Sequence, residues 1–264
     1  MAKIGFIGMG NMGSAMLEGV LRIFDREDIY FSRKDGELGR ELARKKGIQF
    51  VEGNTELANR VKYLVLAVKP QVYDTVIKNI RDVITENHVI ISLAPGVTIK
   101  TLTDALGFES RVVRAMPNTP ALLGEGMTGV SYDPAMFSQA ETNMLEQIFD
   151  SFGKHVVVDE KLMSAVTCAS GSSPAYVYMF IEALADSVVK YGIPRKTAYE
   201  LVAQTVAGSA KMVLETGKHP GQLKDEVCSP GGTTICGVAA LEEEGFRNSI
   251  IKATDACYKK AENM

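Results

Sequence analysis

The 264-residue chain lacks the features by which proteins engage membranes or nucleic acids. Its longest apolar stretches, Tyr63–Val68 and Val89–Pro95, fall far short of the ~20 residues a spanning helix needs. Met1-Ala2-Lys3 leads directly into a strand pattern rather than a signal peptide. Net charge is −3 with acids and bases interspersed, so there is no basic stripe to release counterions from a polyanion. The expectation is a cytoplasmic protein with neither nucleic acid nor membrane as partner. Cys168, Cys228, Cys236 and Cys257 have no C-x-x-C spacing and no nearby histidine pair, which excludes a zinc site with a local signature. Reduced, packed thiols are expected instead. His88, His155 and His219 are scattered and form no triad or ligand pattern, so no metal is expected.

What is present divides the chain in two. Residues 1–159 alternate short apolar runs with amphipathic stretches, the pattern of βαβ units in a doubly wound, mostly parallel sheet of Rossmann type. Strand candidates are 3–8, 29–32, 48–51, 63–68, 88–93 and 111–116. Two more, 127–132 and 154–159, flank a helical stretch near 138–151 and extend the sheet. Residues 160–264 show no alternation, only Ala-, Leu-, Val- and Met-rich stretches at helical spacing, interrupted by GSSP, YGIPR, TGKHPGQ, SPGG and EEEGF. This half is expected to be all-helical. Its apolar faces, such as Ala183, Leu184, Ser187, Val188 and Tyr191, suit either an internal core or completion by a second subunit.

Gly8-Met9-Gly10-Asn11-Met12-Gly13 is a G-x-G-x-x-G motif that follows the first strand and opens a helix. The first glycine makes the tight turn, the second admits a pyrophosphate, and the third lets helix and strand pack closely. The second strand ends Phe31-Ser32-Arg33-Lys34, with two cations where an NAD site would place an acid. That favours NADPH, with NADH possible. Ala67-Val68-Lys69-Pro70 and Ser92-Leu93-Ala94-Pro95-Gly96 follow apolar strands, where the ligand crevice of an open α/β sheet lies, and are read as further cofactor contacts.

GFIGMGNMG, LAVKP, MPNTP (116–120), SGSSPAY (170–176), HPGQLKDEV (219–227) and SPGGTT (229–234), in this order, closely resemble pyrroline-5-carboxylate reductase along essentially the whole length. The resemblance implies NAD(P)H-dependent reduction of 1-pyrroline-5-carboxylate to L-proline, the last step of proline synthesis. It also implies a Rossmann domain (1–159) followed by a helical substrate-binding and dimerisation domain (160–264), whose homodimers assemble into larger rings. It places cofactor contacts at Ile7 to Met12, Ser32, Arg33, Asn54, Val68, Lys69, Pro70, Leu93, Ala94 and Pro95. Substrate contacts fall at Ser229, Gly232, Thr233 and Thr234. The chain departs from the usual family pattern at Ser173, where Gly is frequent, and at Glu226, where Asn is frequent.

A helix starting near Thr233 or Thr234 and ending at Gly245 would offer its bare N-terminal amides to a substrate carboxylate. Thr234 would then orient the ring nitrogen as the catalytic residue. On local chemistry alone the same stretch is a capped helix after a Pro-Gly turn, with Ser229 or Thr233 as cap. Two alternatives stay open. One is a 3-hydroxyacid dehydrogenase of the 6-phosphogluconate type, although Thr167–Ile181 lacks the lysine such chemistry uses. The other is a non-catalytic NADPH-binding protein.

Overall fold

The computed structural model describes residues 3–107 and 110–263; the expectation for Met1 and Ala2 lies outside them. Eight strands form one sheet: β1 (Ile4–Ile7), β2 (Ile29–Ser32), β3 (Gln49–Phe50), β4 (Tyr63–Leu66), β5 (Val89–Ser92), β6 (Arg111–Met116), β7 (Gly126–Ser131) and β8 (Gly153–Val157). Their order is β3-β2-β1-β4-β5-β6-β7-β8, and β1 through β6 run parallel. β7 reverses against β6, and β8 follows β7 in parallel. Each strand lies where the sequence pattern puts it, and β4 stops short of the apolar run that defines it. Ala67 and Val68 leave the β4–β5 ladder, although the Ala67 amide still reaches the Ile7 carbonyl at 2.9 Å.

The strands are joined by α1 (Asn11–Val20), α2 (Gly36–Lys46), α3 (Asn54–Ala58), α4 (Tyr73–Ile80), α5 (Ile99–Leu106) and α6 (Gln139–Asp150). Alternate residues of the central strands feed separate cores on the two faces. Phe6, Val65, Ile91 and Val113 pack with α1 and α6, while Leu64, Leu66, Ile90 and Val112 pack with α4 and α5. Both faces are thus dry, as a parallel sheet covered by crossover helices requires. The order reverses between β1 and β4, which places the switch-point crevice beyond their carboxyl ends.

After β8 no described residue is in a strand. α7 (Met163–Val166) leads through a π-helical stretch, Thr167–Ser172, into α8 (Ser173–Val189), α9 (Arg195–Thr216), α10 (Pro220–Val227), α11 (Thr233–Glu243) and α12 (Phe246–Glu262). The described chain forms two compact units, one running through Ser172 and resuming at Cys257, the other Ser173–Ala256. The helical unit has a small core: Ala185, Ala198 and Val202 are its fully buried apolar side chains. Among the described residues no helix is long and apolar enough to cross a membrane, and no cluster of His, Cys, Asp or Glu has the make-up of a metal site.

Candidate functional site

The glycine motif does what its spacing demands. Gly8 has φ +91°, and a Cβ there would lie 2.6 Å from Val68 Cγ1 and 2.9 Å from the Ala67 carbonyl oxygen, so glycine is required on both counts. At Gly13 a Cβ would meet the Gly8 carbonyl oxygen at 2.7 Å, which fixes how closely α1 sits on the sheet. Gly10 differs, because nothing lies within 4 Å of a Cβ built on it. It is also the N-cap of α1 and supplies no side-chain bond to the first turn, and the first helical rung is Ser14 to Gly10 at 2.9 Å. The preceding amides, Asn11 to Gly13, are therefore the donors a helix leaves for an anion.

α2, α5, α6 and α10 have side-chain caps from Asp35, Thr98, Ser138 and His219. α1, α3 and α11 start on Gly10, Gly53 and Gly232 with none. Side-chain caps are absent from other helices too, since α4, α7 and α9 start on Val72, Leu162 and Pro194 without one; what sets α1, α3 and α11 apart is a glycine at the N-cap. At the end of β2, Ser32 is buried, and its hydroxyl donates to Asn54 Oδ1 at 2.8 Å, so the first residue of α3 is held against the β2 terminus. Arg33 and Lys34 follow with no ion-pair partner among the described residues, and no acid stands between Ser32 and Lys34. Bare amides on α1, an unfilled approach at Gly10 and two uncommitted cations fit a dinucleotide with a 2′-phosphate.

The loops after β4 and β5 leave the same carboxyl end of the sheet. Lys69 is exposed, while Leu93 and Ala94 are buried at the β5 terminus. Beneath them lies Tyr73, a residue that no sequence motif singles out. Its buried hydroxyl donates to the Leu66 carbonyl at 2.8 Å and lies 3.1 Å from Ser92 Oγ. Burial raises its pKa, opposed by hydrogen bonds from Ser92 and from the Leu93 and Ala94 amides. The signal missing from the sequence is periodicity, since the partners stand seven and nineteen residues away in two different strands.

The expected substrate residues lie together in the helical unit, at the turn before α11. Gly232 N–H donates to the Ser229 carbonyl at 3.0 Å around Pro230 and Gly231, and Gly231 has φ +67°. That is the type II pattern, with Pro at the first central position and glycine at the second. The helix begins at Thr233, as expected, and ends at Glu243, ahead of Gly245. The expectation that Ser229 or Thr233 caps it needs correction: the N-cap is Gly232, with no side-chain bond to the helix. Ser229 belongs to the turn, with its Oγ only 2.4 Å from where a Gly232 Cβ would stand. Thr205, Thr216 and Thr254 donate their hydroxyls to the carbonyl four residues back. Those of Thr233 and Thr234 have no such partner among the described residues.

Glu226 is answered locally. Its carboxylate takes Lys218 Nζ at 2.8 and 3.1 Å and Gln222 Nε2 at 3.1 Å, and Lys218 is the chief cause of its lowered pKa. An unpaired anion three residues ahead of Ser229 would oppose a bound carboxylate; this one is neutralised by its neighbour.

Comparison with known proteins covers the whole chain. Residues 160–264 match the family described as "Pyrroline-5-carboxylate reductase dimerisation", and residues 3–96 match "NADP oxidoreductase coenzyme F420-dependent". The chain is 44% identical to pyrroline-5-carboxylate reductase of Escherichia coli, covering 99% of this chain and 98% of that one. Among solved structures it resembles a pyrroline-5-carboxylate reductase from Coxiella burnetii, at 34% identity and TM-score 0.92 over 99% and 98% of the two chains. It also resembles the Plasmodium falciparum pyrroline carboxylate reductase with NADP bound, at 34% identity and TM-score 0.87 over 98% and 97%.

Proposed function

Because this chain belongs to the pyrroline-5-carboxylate reductase family, we propose that it reduces 1-pyrroline-5-carboxylate to L-proline with NADPH, and more slowly with NADH. The observation that carries this reading is the uncapped start of α11 behind Ser229-Pro230-Gly231-Gly232. A helix of eleven residues whose first amides and dipole end are free is suited to the substrate carboxylate.

The bound dinucleotide supplies the hydride. The protein's own tasks are then modest. Amides of the first turn of α1 take the pyrophosphate, Ser32 with Asn54 and Arg33 hold the ribose end, and the loops through Val68, Lys69 and Pro70 and through Leu93, Ala94 and Pro95 frame the rest. Ser229, Gly232, Thr233 and Thr234 bind substrate. The Thr234 hydroxyl is the catalytic group: it hydrogen-bonds the ring nitrogen in both imine and amine states and so orients the C=N bond. A threonine hydroxyl is a poor acid, so water delivers the proton that makes the imine carbon a good acceptor. Residues 1–159 act as the nucleotide domain. Residues 160–264 form the substrate-binding and oligomerising domain, through which dimers gather into a larger cytoplasmic assembly.

The test is NADPH oxidation on adding 1-pyrroline-5-carboxylate, with 3-hydroxyacids and NADP run in parallel. Turnover of the imine alone is expected, and turnover of a hydroxyacid alone overturns the proposal. Thr234→Ala should lower kcat about tenfold or more while the Kd for NADPH stays within about twofold. A large loss of NADPH affinity would move Thr234 out of the substrate site.

A further inference from the structure

We propose that Tyr73 is a positioning residue that sets the spacing of the two cofactor loops, 67–70 and 93–95, and through them the affinity for the dinucleotide; this rests on the assignment of those loops to the cofactor.

Leu66 and Ser92 are register partners at the ends of β4 and β5. Beyond them the ladder has one more rung, Leu93 N–H to the Leu66 carbonyl, stretched to 3.3 Å. There the strands separate, and each chain enters a loop of the cofactor rim. Tyr73 stands at the first residue of α4, and its side chain, 4% exposed, reaches back to this fork. The phenol shares the Leu66 carbonyl with the last rung at 2.8 Å and meets Ser92 Oγ at 3.1 Å, so one oxygen ties the end of β4 to the end of β5. In effect the side chain adds a rung where the backbone can no longer supply one. Phenylalanine would keep the ring among Val76, Ile77 and Leu102. It would also remove the rung and strand the fully buried Ser92 hydroxyl.

In the Tyr73→Phe variant the Kd and KM for NADPH should rise about fivefold, the worth of one lost hydrogen bond, with kcat at saturating NADPH within about twofold of wild type. Hydrogen exchange of the nucleotide-free variant should be faster at Leu93 and Ala94 and unchanged at Ile90 in mid-strand. A lowered Tm with unchanged NADPH affinity would show a merely structural tyrosine and overturn the proposal. Exchange in wild type separates the two layers of inference. If NADPH fails to protect the amides of Val68, Lys69, Leu93 and Ala94, the loop assignment falls and this proposal with it. If it protects them and Tyr73→Phe binds NADPH as wild type does, only the proposal falls. Should Tyr73→Phe not fold, Ser92→Ala removes one partner and leaves the phenol on Leu66. A smaller loss of affinity is then expected, and no loss overturns the proposal.

Discussion

Arg33 and Lys34 are the residues proposed to set the preference for NADPH at the end of β2. They are free of ion pairs among the described residues, and a 2′-phosphate is the group that would use both. Replacing both by alanine should weaken NADPH about tenfold or more and NADH by less than about twofold, measured by fluorescence titration at fixed salt. Equal losses for both nucleotides would remove the phosphate from this site. At this scale the sequence was legible where a residue's job is local. Gly8 needs positive φ, and Gly13 needs close packing, and the motif spacing announces both. It misled at the α11 cap, where Ser229 and Thr233 are good capping types but the turn through Gly231 hands the N-cap to Gly232. It was silent on Tyr73, whose role exists only once β4 and β5 lie side by side.

The elements followed from patterning because a doubly covered parallel sheet makes its strands apolar and its helices amphipathic. What patterning did not reveal is how β6 and α6 are tied together at the other end of the sheet. Glu141, only 6% exposed, closes the α6 capping box with Ser138 and also pairs with Arg111 of β6 and, at 2.7 Å, with Lys62. Ser138-x-x-Glu141 is a capping pattern in the sequence; its two cationic partners come from 30 and 79 residues away. Burial pushes the carboxyl up, but Lys62, the Ser138 amide and hydroxyl, and Arg111 outweigh it and hold the pKa down to about 2, against 4.5 ordinarily. The same burial, with the Glu141 charge, pushes Tyr63 up to about 12. A depressed carboxyl stabilises the fold above its unfolded pKa, and that contribution is lost as pH falls from about 4.5 to about 2. Glu141→Gln should therefore cost about 2–3 kcal/mol at pH 7 in urea unfolding, with the gap to wild type narrowing through that acid window. A gap that does not change with pH would mean that the lost packing, not the charge, is responsible.

At the scale of the molecule the helical unit holds too little core for its apolar surface. Met179, Leu214 and Tyr191 are 67%, 69% and 79% exposed, whereas three small or medium side chains carry the fully buried core. Helices α8, α11 and α12 enclose an almost wholly apolar groove of about 750 Å³, lined by Met179, Phe180, Leu241, Phe246 and Ile250 among others. A monomer rarely leaves so much contiguous apolar surface in water, and residues 160–264 match a dimerisation family. A second copy of this unit on the groove accounts for both observations. Charge placed there should be intolerable to the dimer and nearly harmless to the separate nucleotide unit. Met179→Glu with Ile250→Glu should thus sediment as a monomer at micromolar concentration. Its Tm should no longer rise with protein concentration, as that of the wild-type dimer must by mass action. NADPH affinity should stay within about threefold of wild type, since every residue assigned to the cofactor lies in the other unit. A doubly substituted protein that still sediments as a dimer would place the interface on another face of the helices.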